Sequence, residues 1–279
     1  MSKEPWKSIE PSRRANSERQ EYMTQAKNKF SAVEWQTRVD LAACYRLVAH
    51  FEMSDLVSNH ISARIPGTED EILLNAFGMM YEEITASSLI KVDLAGNILE
   101  NSNSGYSINR AGYVLHSAVH EARPDVVCAL HTHTAAGVAL STLKCGILPI
   151  SQSSMRFAKV AYHDFEGVAF EPSEKARFAA DLGDCDVMVL RNHGLLSCGA
   201  SIAQAFNSMY RLEKICQIQL MAMACNSEFN LPCDEVVRKS NQQYANNPSA
   251  LGLKPTPFGV MEWPAMLRML DRRDASYRD

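Results

Sequence analysis

The chain has 279 residues, of which 46% are hydrophobic and 22% are charged, and its formal net charge at pH 7 is −4. This composition is typical of a soluble globular protein with one large or two small domains. The slightly acidic balance disfavours a nucleic acid or an anionic membrane as partner. No apolar run approaches the roughly 18 residues of a membrane-spanning helix, and the N-terminus does not resemble a signal peptide. We therefore expect a cytoplasmic protein.

Residues 1–32 are polar and charged, and we interpret them as an N-terminal arm. Apolar and turn-forming residues then alternate in patterns that predict both helices and strands. In the first half these elements are a helix from Val33 to Phe51, strands at 59–64 and 71–74, a hairpin over 90–100, and a helix from Arg110 to Arg123.

The second half continues this mixture up to residue 225. We predict a buried strand at 128–130, a helix from Thr134 to Leu140, strands at 160–162 and 168–170, a helix from Ser173 to Ala180, strands at 187–190 and 195–197, and a long helix from Ser201 to Cys225. The last fifty residues lose the periodicity, apart from a short helix from Trp263 to Leu270. Intermixed helices and strands indicate one α/β domain over 33–228, followed by a C-terminal extension over 229–279.

The segment after the strand at 128–130 contains the pair His131 and His133. Alternation along a strand places both imidazoles on one face, where they can share a divalent metal. His193 follows the strand at 187–190 and supplies a third histidine. Three histidines at two strand ends, with an open coordination position, describe a catalytic metal centre. The alternative is a set of partly exposed strand histidines without a ligand.

Several motifs together resemble the class II aldolase/adducin family. They are His116-Ser-Ala-Val-His-Glu-Ala-Arg123-Pro124-Asp125, His131-Thr-His133, Asn192-His193-Gly194, Ser58-Asn59-His60-Ile61-Ser62-Ala63-Arg64, Asn75-Ala-Phe-Gly78 and Tyr81-Glu-Glu-Ile-Thr85. The resemblance extends over roughly Val33 to Cys225. It implies a three-layer α/β/α fold with a largely antiparallel central sheet. It also implies a small-molecule substrate, a cytosolic homotetramer with active sites at subunit boundaries, and one divalent ion held by His131, His133 and His193. Zinc is the expected ion, with manganese and iron as alternatives.

One position departs from the aldolase pattern. The acidic residue of the sugar-phosphate aldolases corresponds to Gly112 here, and Arg110-Ala111 replace a pair of serines that contacts substrate phosphate. That carboxylate is the aldolases' proton-transfer group, so its absence argues against sugar-phosphate aldol chemistry. Asn59 keeps the amide of the phosphate-contact segment, although it could equally hold the loop in place.

Three histidines without a carboxylate at position 112 suit a Lewis-acidic metal ion that chelates a keto or hydroxy acid. We therefore predict a lyase that acts by decarboxylation or aldol-type cleavage through a metal-stabilised enolate. His116 lies one helical turn from Gly112 and is the candidate acid/base. It could instead be a fourth metal ligand, or pack between helix and sheet. Arg110 is the candidate partner of a substrate carboxylate.

Two other functions remain open from the sequence. One is a non-catalytic, adducin-like interaction module, although the cytoskeletal adducins typically lack the three histidines that are present here. The other is an iron oxygenase, because three histidines also suit ferrous iron.

Overall fold

The computed structural model describes residues 29–102, 104–157, 159–167, 174–246 and 256–279. Most of the N-terminal arm, the strand predicted at 168–170 and the helix-capping residue Ser173 lie outside these ranges. None of the described helices is both long enough and apolar enough to cross a membrane.

A single eight-stranded sheet forms the centre of the described fold, in the order β4-β3-β2-β1-β5-β8-β7-β6. All neighbouring strands are antiparallel except β6 and β7, which are parallel. The fold class predicted from the sequence, α/β with a largely antiparallel sheet, is confirmed. The strands are β1 His60–Arg64, β2 Glu71–Leu74, β3 Ile90–Asp93, β4 Ile98–Glu100, β5 Cys128–Thr132, β6 Ala161–His163, β7 Val187–Leu190 and β8 Gly194–Gly199.

Helices cover both faces of the sheet. They are α1 Ala32–His50, α2 Arg110–Ala122, α3 Ala135–Ser141, α4 Glu174–Leu182, α5 Ile202–Ala224, α6 Asp234–Asn246 and α7 Trp263–Arg273. The larger apolar core joins α1, α5 and α7 to one face, while α2 and α4 pack on the other face. The result is the three-layer arrangement that the resemblance implied.

Helix boundaries follow from capping side chains. Asn109 accepts hydrogen bonds from the backbone N–H groups at the start of α2, Thr134 does so for α3, and Ser201 does so for α5. These short polar side chains satisfy N–H groups that have no partner within the helix. The capping residues fix where α2 and α3 begin, and both helices begin beside the cluster of histidines described below.

The C-terminal extension is more regular than its composition indicated. Asp234–Asn246 is a helix, although the loss of periodicity after residue 225 predicted none there. The predicted helix near Trp263 extends to Arg273, and its first residue donates from the indole Nε1 to Asp40 of α1 at 3.2 Å. This contact and buried Leu270 hold the end of the chain against the main core.

Register within the sheet determines which side chains meet. His60 of β1 pairs with His131 of β5, and Thr132 of β5 pairs with Leu195 of β8. Ile61 and Ala63 point into the core beneath α1 and α5. Because strand side chains alternate, His60 and Ser62 face the opposite side, toward α2.

Candidate metal centre

Three imidazole nitrogens converge at the C-terminal end of β5. The Nε2 atom of His131 lies 2.7 Å from that of His133 and 3.2 Å from that of His193, and the latter two are 3.0 Å apart. Among the described residues, these three histidines are the group of potential ligand side chains that lie close enough to share one ion. The three histidines singled out in the sequence are therefore brought together, although they lie in segments about 60 residues apart.

Neighbouring groups orient two of these imidazoles. His131 Nδ1 lies 2.8 Å from the Leu195 carbonyl oxygen, and His133 Nδ1 lies 3.3 Å from a carboxylate oxygen of Asp55. Both partners are acceptors, so each Nδ1 carries the proton and each Nε2 presents a lone pair. Such carbonyl and carboxylate contacts are typical of the second shell of metal-binding histidines.

The donor set fits a divalent cation. Lone pairs of His131 and His133 that face one another at 2.7 Å repel unless a positive charge lies between them. Zinc accepts imidazole nitrogens at about 2.0–2.1 Å, and three such ligands leave a position for substrate or water. His131, His133 and His193 would hold the ion.

His193 lies in a tight turn between β7 and β8. Asn192 has φ of 58°, in the left-handed region that asparagine tolerates better than most residues. A Cβ on Gly194 would lie 2.3 Å from the Thr132 carbonyl oxygen. Glycine is therefore required after His193, because any side chain there would push β8 away from β5.

Burial disfavours the charged form of two of the three imidazoles. It lowers the pKa of His131 well below its ordinary value, and the nearby imidazoles of His60, His193 and His133 lower it further. Burial and the neighbouring His133 lower the pKa of His193 to about 4. These two imidazoles are thus unprotonated at neutral pH, as metal ligands must be.

The two candidate substrate-binding residues have different surroundings. Asn59 is buried, and its side-chain oxygen accepts from the Asp55 backbone N–H at 2.6 Å, which ties down the loop that carries Asp55. Its amide nitrogen is buried without a hydrogen-bond partner. Arg110 is exposed at the first residue of α2, and its side chain forms no hydrogen bond or ion pair with the described residues. Asn59 therefore supports the loop, and Arg110 remains available to a ligand.

The imidazole of His60 separates His116 from the three-histidine cluster. It is fully buried, with Nε2 2.7 Å from His60 Nδ1 and Nδ1 2.5 Å from Ser62 Oγ. With both nitrogens engaged, it neither joins the three-histidine cluster nor reaches a ligand directly. The side chain between His116 and the cluster is His60, whose ring centroid is 5.1 Å from that of His131.

Sequence reasoning missed the roles of His60 and Asp55. A signal for His60 was present, because period-two alternation over 60–64 places His60, Ser62 and Arg64 on one face of β1. No comparable signal marked Asp55, whose loop approaches His133 only in the folded chain.

The buried imidazoles behind the centre should make the metal-free protein sensitive to acid. Burial lowers the pKa of His120 to about 3, and it lowers the pKa values of His60 and His116 well below the ordinary value. In the unfolded chain these groups titrate near pH 6.5. Between that pH and the folded values the unfolded state binds more protons, so stability falls as the pH falls. Each group contributes a loss of about 1.4 kcal/mol per pH unit in this window.

Chemical unfolding of the chelator-treated protein between pH 7.5 and 5 measures this dependence. His120→Gln should reduce the slope by about one proton. His50→Gln, at the half-buried C-terminal end of α1, is the comparison variant. Burial and Arg273 lower the pKa of His50 as well, but its imidazole lies outside the buried cluster, so the slope should change less. An unchanged slope in His120→Gln would contradict the assignment.

Together these features define a class of protein: a three-layer α/β/α domain with a three-histidine centre at the ends of central strands of a largely antiparallel sheet. The family model described as the class II aldolase and adducin N-terminal domain matches residues 39–220. The chain therefore belongs to the class II aldolase and adducin family, whose aldolases typically use a divalent metal ion.

Relatives and solved structures agree with this membership. A Pseudomonas aeruginosa protein whose name assigns it to aldolase class 2 is 50% identical over 90% of this chain and 95% of its own length. The crystal structure of an aldolase II superfamily protein from Pseudomonas syringae has a TM-score of 0.84 at 45% identity, covering 91% of this chain and 99% of that one. Rat alpha-adducin is 40% identical over 84% of this chain, which spans 33% of the adducin. The family thus includes both proteins named as aldolases and adducins.

Proposed function

We propose that this protein is a metal-dependent lyase that acts on a small keto or hydroxy acid or a sugar acid, by decarboxylation or aldol-type cleavage. The observation that carries the proposal is the convergence of the three Nε2 atoms of His131, His133 and His193 within 3.2 Å of one another. A divalent ion held there, zinc by preference, supplies a Lewis acid that stabilises negative charge on a chelated substrate oxygen.

The residues around the centre support an acid as substrate. Arg110, at the start of α2, is free to form a bidentate pair with a carboxylate. Asn59, whose amide nitrogen is buried, acts on the site only by holding the loop that carries Asp55. A cleaved hydroxy acid needs a base for its hydroxyl proton, whereas a decarboxylated keto acid does not. Position 112 offers no carboxylate for that task, so decarboxylation is the simpler reaction for this site.

Pyruvate release measured with lactate dehydrogenase tests the proposal. We expect the zinc- or manganese-loaded protein to release pyruvate from oxaloacetate or a 4-hydroxy-2-keto acid, and to turn over fuculose- or ribulose-type phosphates negligibly. Loss of a general base typically costs 10²–10⁴ in rate. Because free metal ions also decarboxylate oxaloacetate, the control is His133→Ala with the same total metal. Brisk cleavage of a ketose phosphate would overturn the proposed substrate class.

The second candidate function is a non-catalytic interaction module. The observation that favours it is the 40% identity to rat alpha-adducin over 84% of this chain. A protein that binds neither metal nor any of these acids would support that candidate. Oxygen consumption by the ferrous form would instead indicate a three-histidine oxygenase.

We also propose a homotetramer, as expected for the family's enzymes. Light scattering of the purified chain at micromolar concentration should give about four times the mass of one 31.1 kDa chain. A stable monomer would contradict this assembly.

A further inference from the structure

A second cleft lies at the end of the sheet opposite the three histidines. Its floor comes from Val126, which precedes β5, and from Cys198 and Gly199 at the end of β8. His131 and His133 lie at the other end of β5, about 16 Å from Val126, because a strand rises about 3.3 Å per residue. The cleft has a volume of about 460 Å³, within the usual range for small-molecule sites. It is therefore separate from the metal centre and large enough for a ligand.

The C-terminal extension forms one wall of this cleft. Helix α6 contributes Asn241 and Tyr244, and the segment that leads to α7 contributes Phe258. Ser208 of helix α5, in the main domain, also lines the cleft. The extension thus turns the end of the sheet into a cleft with polar and aromatic walls.

Arg156 also lines the cleft, at the end of the short 3-10 turn Ser154–Arg156. Ser154 fixes this turn, because its Oγ donates to the Ser151 carbonyl oxygen at 2.8 Å and accepts from the Ser151 N–H at 3.0 Å. The Arg156 guanidinium stacks on Phe258, with its Cζ 3.8 Å from the ring centroid. Stacking on an aromatic face holds the guanidinium in place and leaves its in-plane N–H donors free to bind an anion.

The positive charge of Arg156 is not paired. Its side chain forms no hydrogen bond or ion pair with the described residues, and none of its nitrogen atoms is fully buried. Burial and, secondarily, the neighbouring Arg211 lower the pKa of Arg156 to about 10, although Glu262 and Tyr244 oppose this shift. The Glu262 carboxylate accepts instead from the Gly259 N–H at 3.0 Å. An anion bound at Arg156 would therefore offset both its burial and its repulsion by Arg211.

The acidic side chains of the cleft are paired with a different arginine. Asp125 accepts two hydrogen bonds from Arg123, at 2.8 Å from Nε and 2.7 Å from Nη2. Asp186 lies 3.7 Å from the same guanidinium. Bidentate pairs of this kind are among the stronger ion pairs in proteins. Asp125 and Asp186 therefore neutralise Arg123, and Arg156 keeps its charge for a ligand.

Three neutral donors line the same cleft without a partner. The hydroxyl groups of Ser208 and Tyr244 and the amide nitrogen of Asn241 form no hydrogen bond with the described residues, and none of these atoms is buried from solvent. The side-chain oxygen of Asn241, in contrast, is buried, so only the donor end of this amide is accessible. One charged and three neutral donors suit a ligand group that accepts several hydrogen bonds. A phosphate monoester offers three such oxygens and a charge of about −1.5 to −2.

We propose that this cleft binds a small phosphate monoester, whose phosphate group pairs with Arg156 and accepts hydrogen bonds from the hydroxyl and amide donors around it. The rings of Tyr244 and Phe258, with centroids 5.8 Å apart, offer apolar surface to the organic part of the ligand. The site is independent of the metal centre and of the reaction proposed there.

Calorimetry with phenyl phosphate tests the site on the full-length protein after chelator treatment and dialysis, so that no metal ion binds the phosphate. We expect the wild type to bind phenyl phosphate more tightly than phenylacetate, which has the ring but only one negative charge. Arg156→Met keeps an unbranched apolar side chain against Phe258 and removes the guanidinium. It should weaken phenyl phosphate binding roughly 10- to 100-fold, the effect of losing a hydrogen-bonded charged group.

Two further variants sharpen the test. Arg272→Met makes the same change at an exposed arginine of α7 outside the cleft, and this matched control should bind like the wild type. Tyr244→Phe removes one donor and keeps the ring against Phe258, so it decides the matter if Arg156→Met does not fold. It should weaken phenyl phosphate binding several-fold, the effect of losing one hydrogen bond.

The outcomes are distinct from those that test the proposed function. Absence of phenyl phosphate binding by the wild type at millimolar concentration would overturn the inference. So would equal affinity in the wild type and Arg156→Met, or equal affinity of the wild type for phenyl phosphate and phenylacetate. None of these results bears on the metal-dependent lyase, because they are obtained without metal and concern the other end of the sheet.

Discussion

Purified wild-type protein is expected to bind one divalent ion per chain, and His133→Ala is expected to lose it. The variant removes one of the three Nε2 donors that lie within 3.2 Å of one another. Two imidazoles cannot complete a site that normally has at least three protein ligands. Affinity should fall by more than about 100-fold, because second-shell changes alone cost roughly 10- to 100-fold. Metal analysis after dialysis measures the stoichiometry.

A graded control distinguishes ligand loss from general damage. Asp55→Ala leaves all three ligands in place and removes only the carboxylate beside His133 Nδ1. It should weaken metal binding by roughly 10- to 100-fold without abolishing it. Equal metal content in the wild type and His133→Ala would rule out this centre as the metal site.

Gly112→Glu is expected to destabilise the protein rather than restore an aldolase. Judged from the sequence alone, the substitution supplies the carboxylate that this position lacks, one helical turn from His116, and leaves the three histidines unchanged. In the folded chain, a Cβ at 112 overlaps the His60 ring, with its nearest ring atom at 2.1 Å. Overpacking of this kind costs about 1–3 kcal/mol, and more where the neighbour cannot move. Urea unfolding of wild type and variant measures the loss.

A double-mutant cycle identifies the cause. His60→Ala removes the ring, so Gly112→Glu should be better tolerated in the His60→Ala background than in the wild type. Residues in direct contact typically show coupling energies of about 0.5–3 kcal/mol. Additive effects of the two substitutions would show that the two residues do not compete for space. The doubly substituted chain is also the proper test of whether a carboxylate at 112 restores ketose-phosphate cleavage.

Local sequence patterns predicted most of the secondary structure because they record which side of an element is buried. The helix predicted from Ser201 to Cys225 is observed as Ile202–Ala224, capped by Ser201 itself. The helix predicted from Arg110 begins at that residue, since Asn109 caps it. Asp234–Asn246 was missed because none of its side chains with a described environment is buried, so no apolar stripe marks the helix.

The three histidines that converge in the folded chain were also recognisable in the sequence, since His131 and His133 are two residues apart and His193 follows an apolar strand. Sequence alone also determined that position 112 lacks the aldolases' acid. It could not reveal what replaces that acid, because His60 and Gly112 are 52 residues apart and meet only when β1 packs against α2. Nor could it connect Asp55 to His133, or place His116 behind His60. Periodicity reports the burial of one side chain at a time, whereas contacts between distant segments arise from sheet register and helix packing, which only the tertiary structure decided.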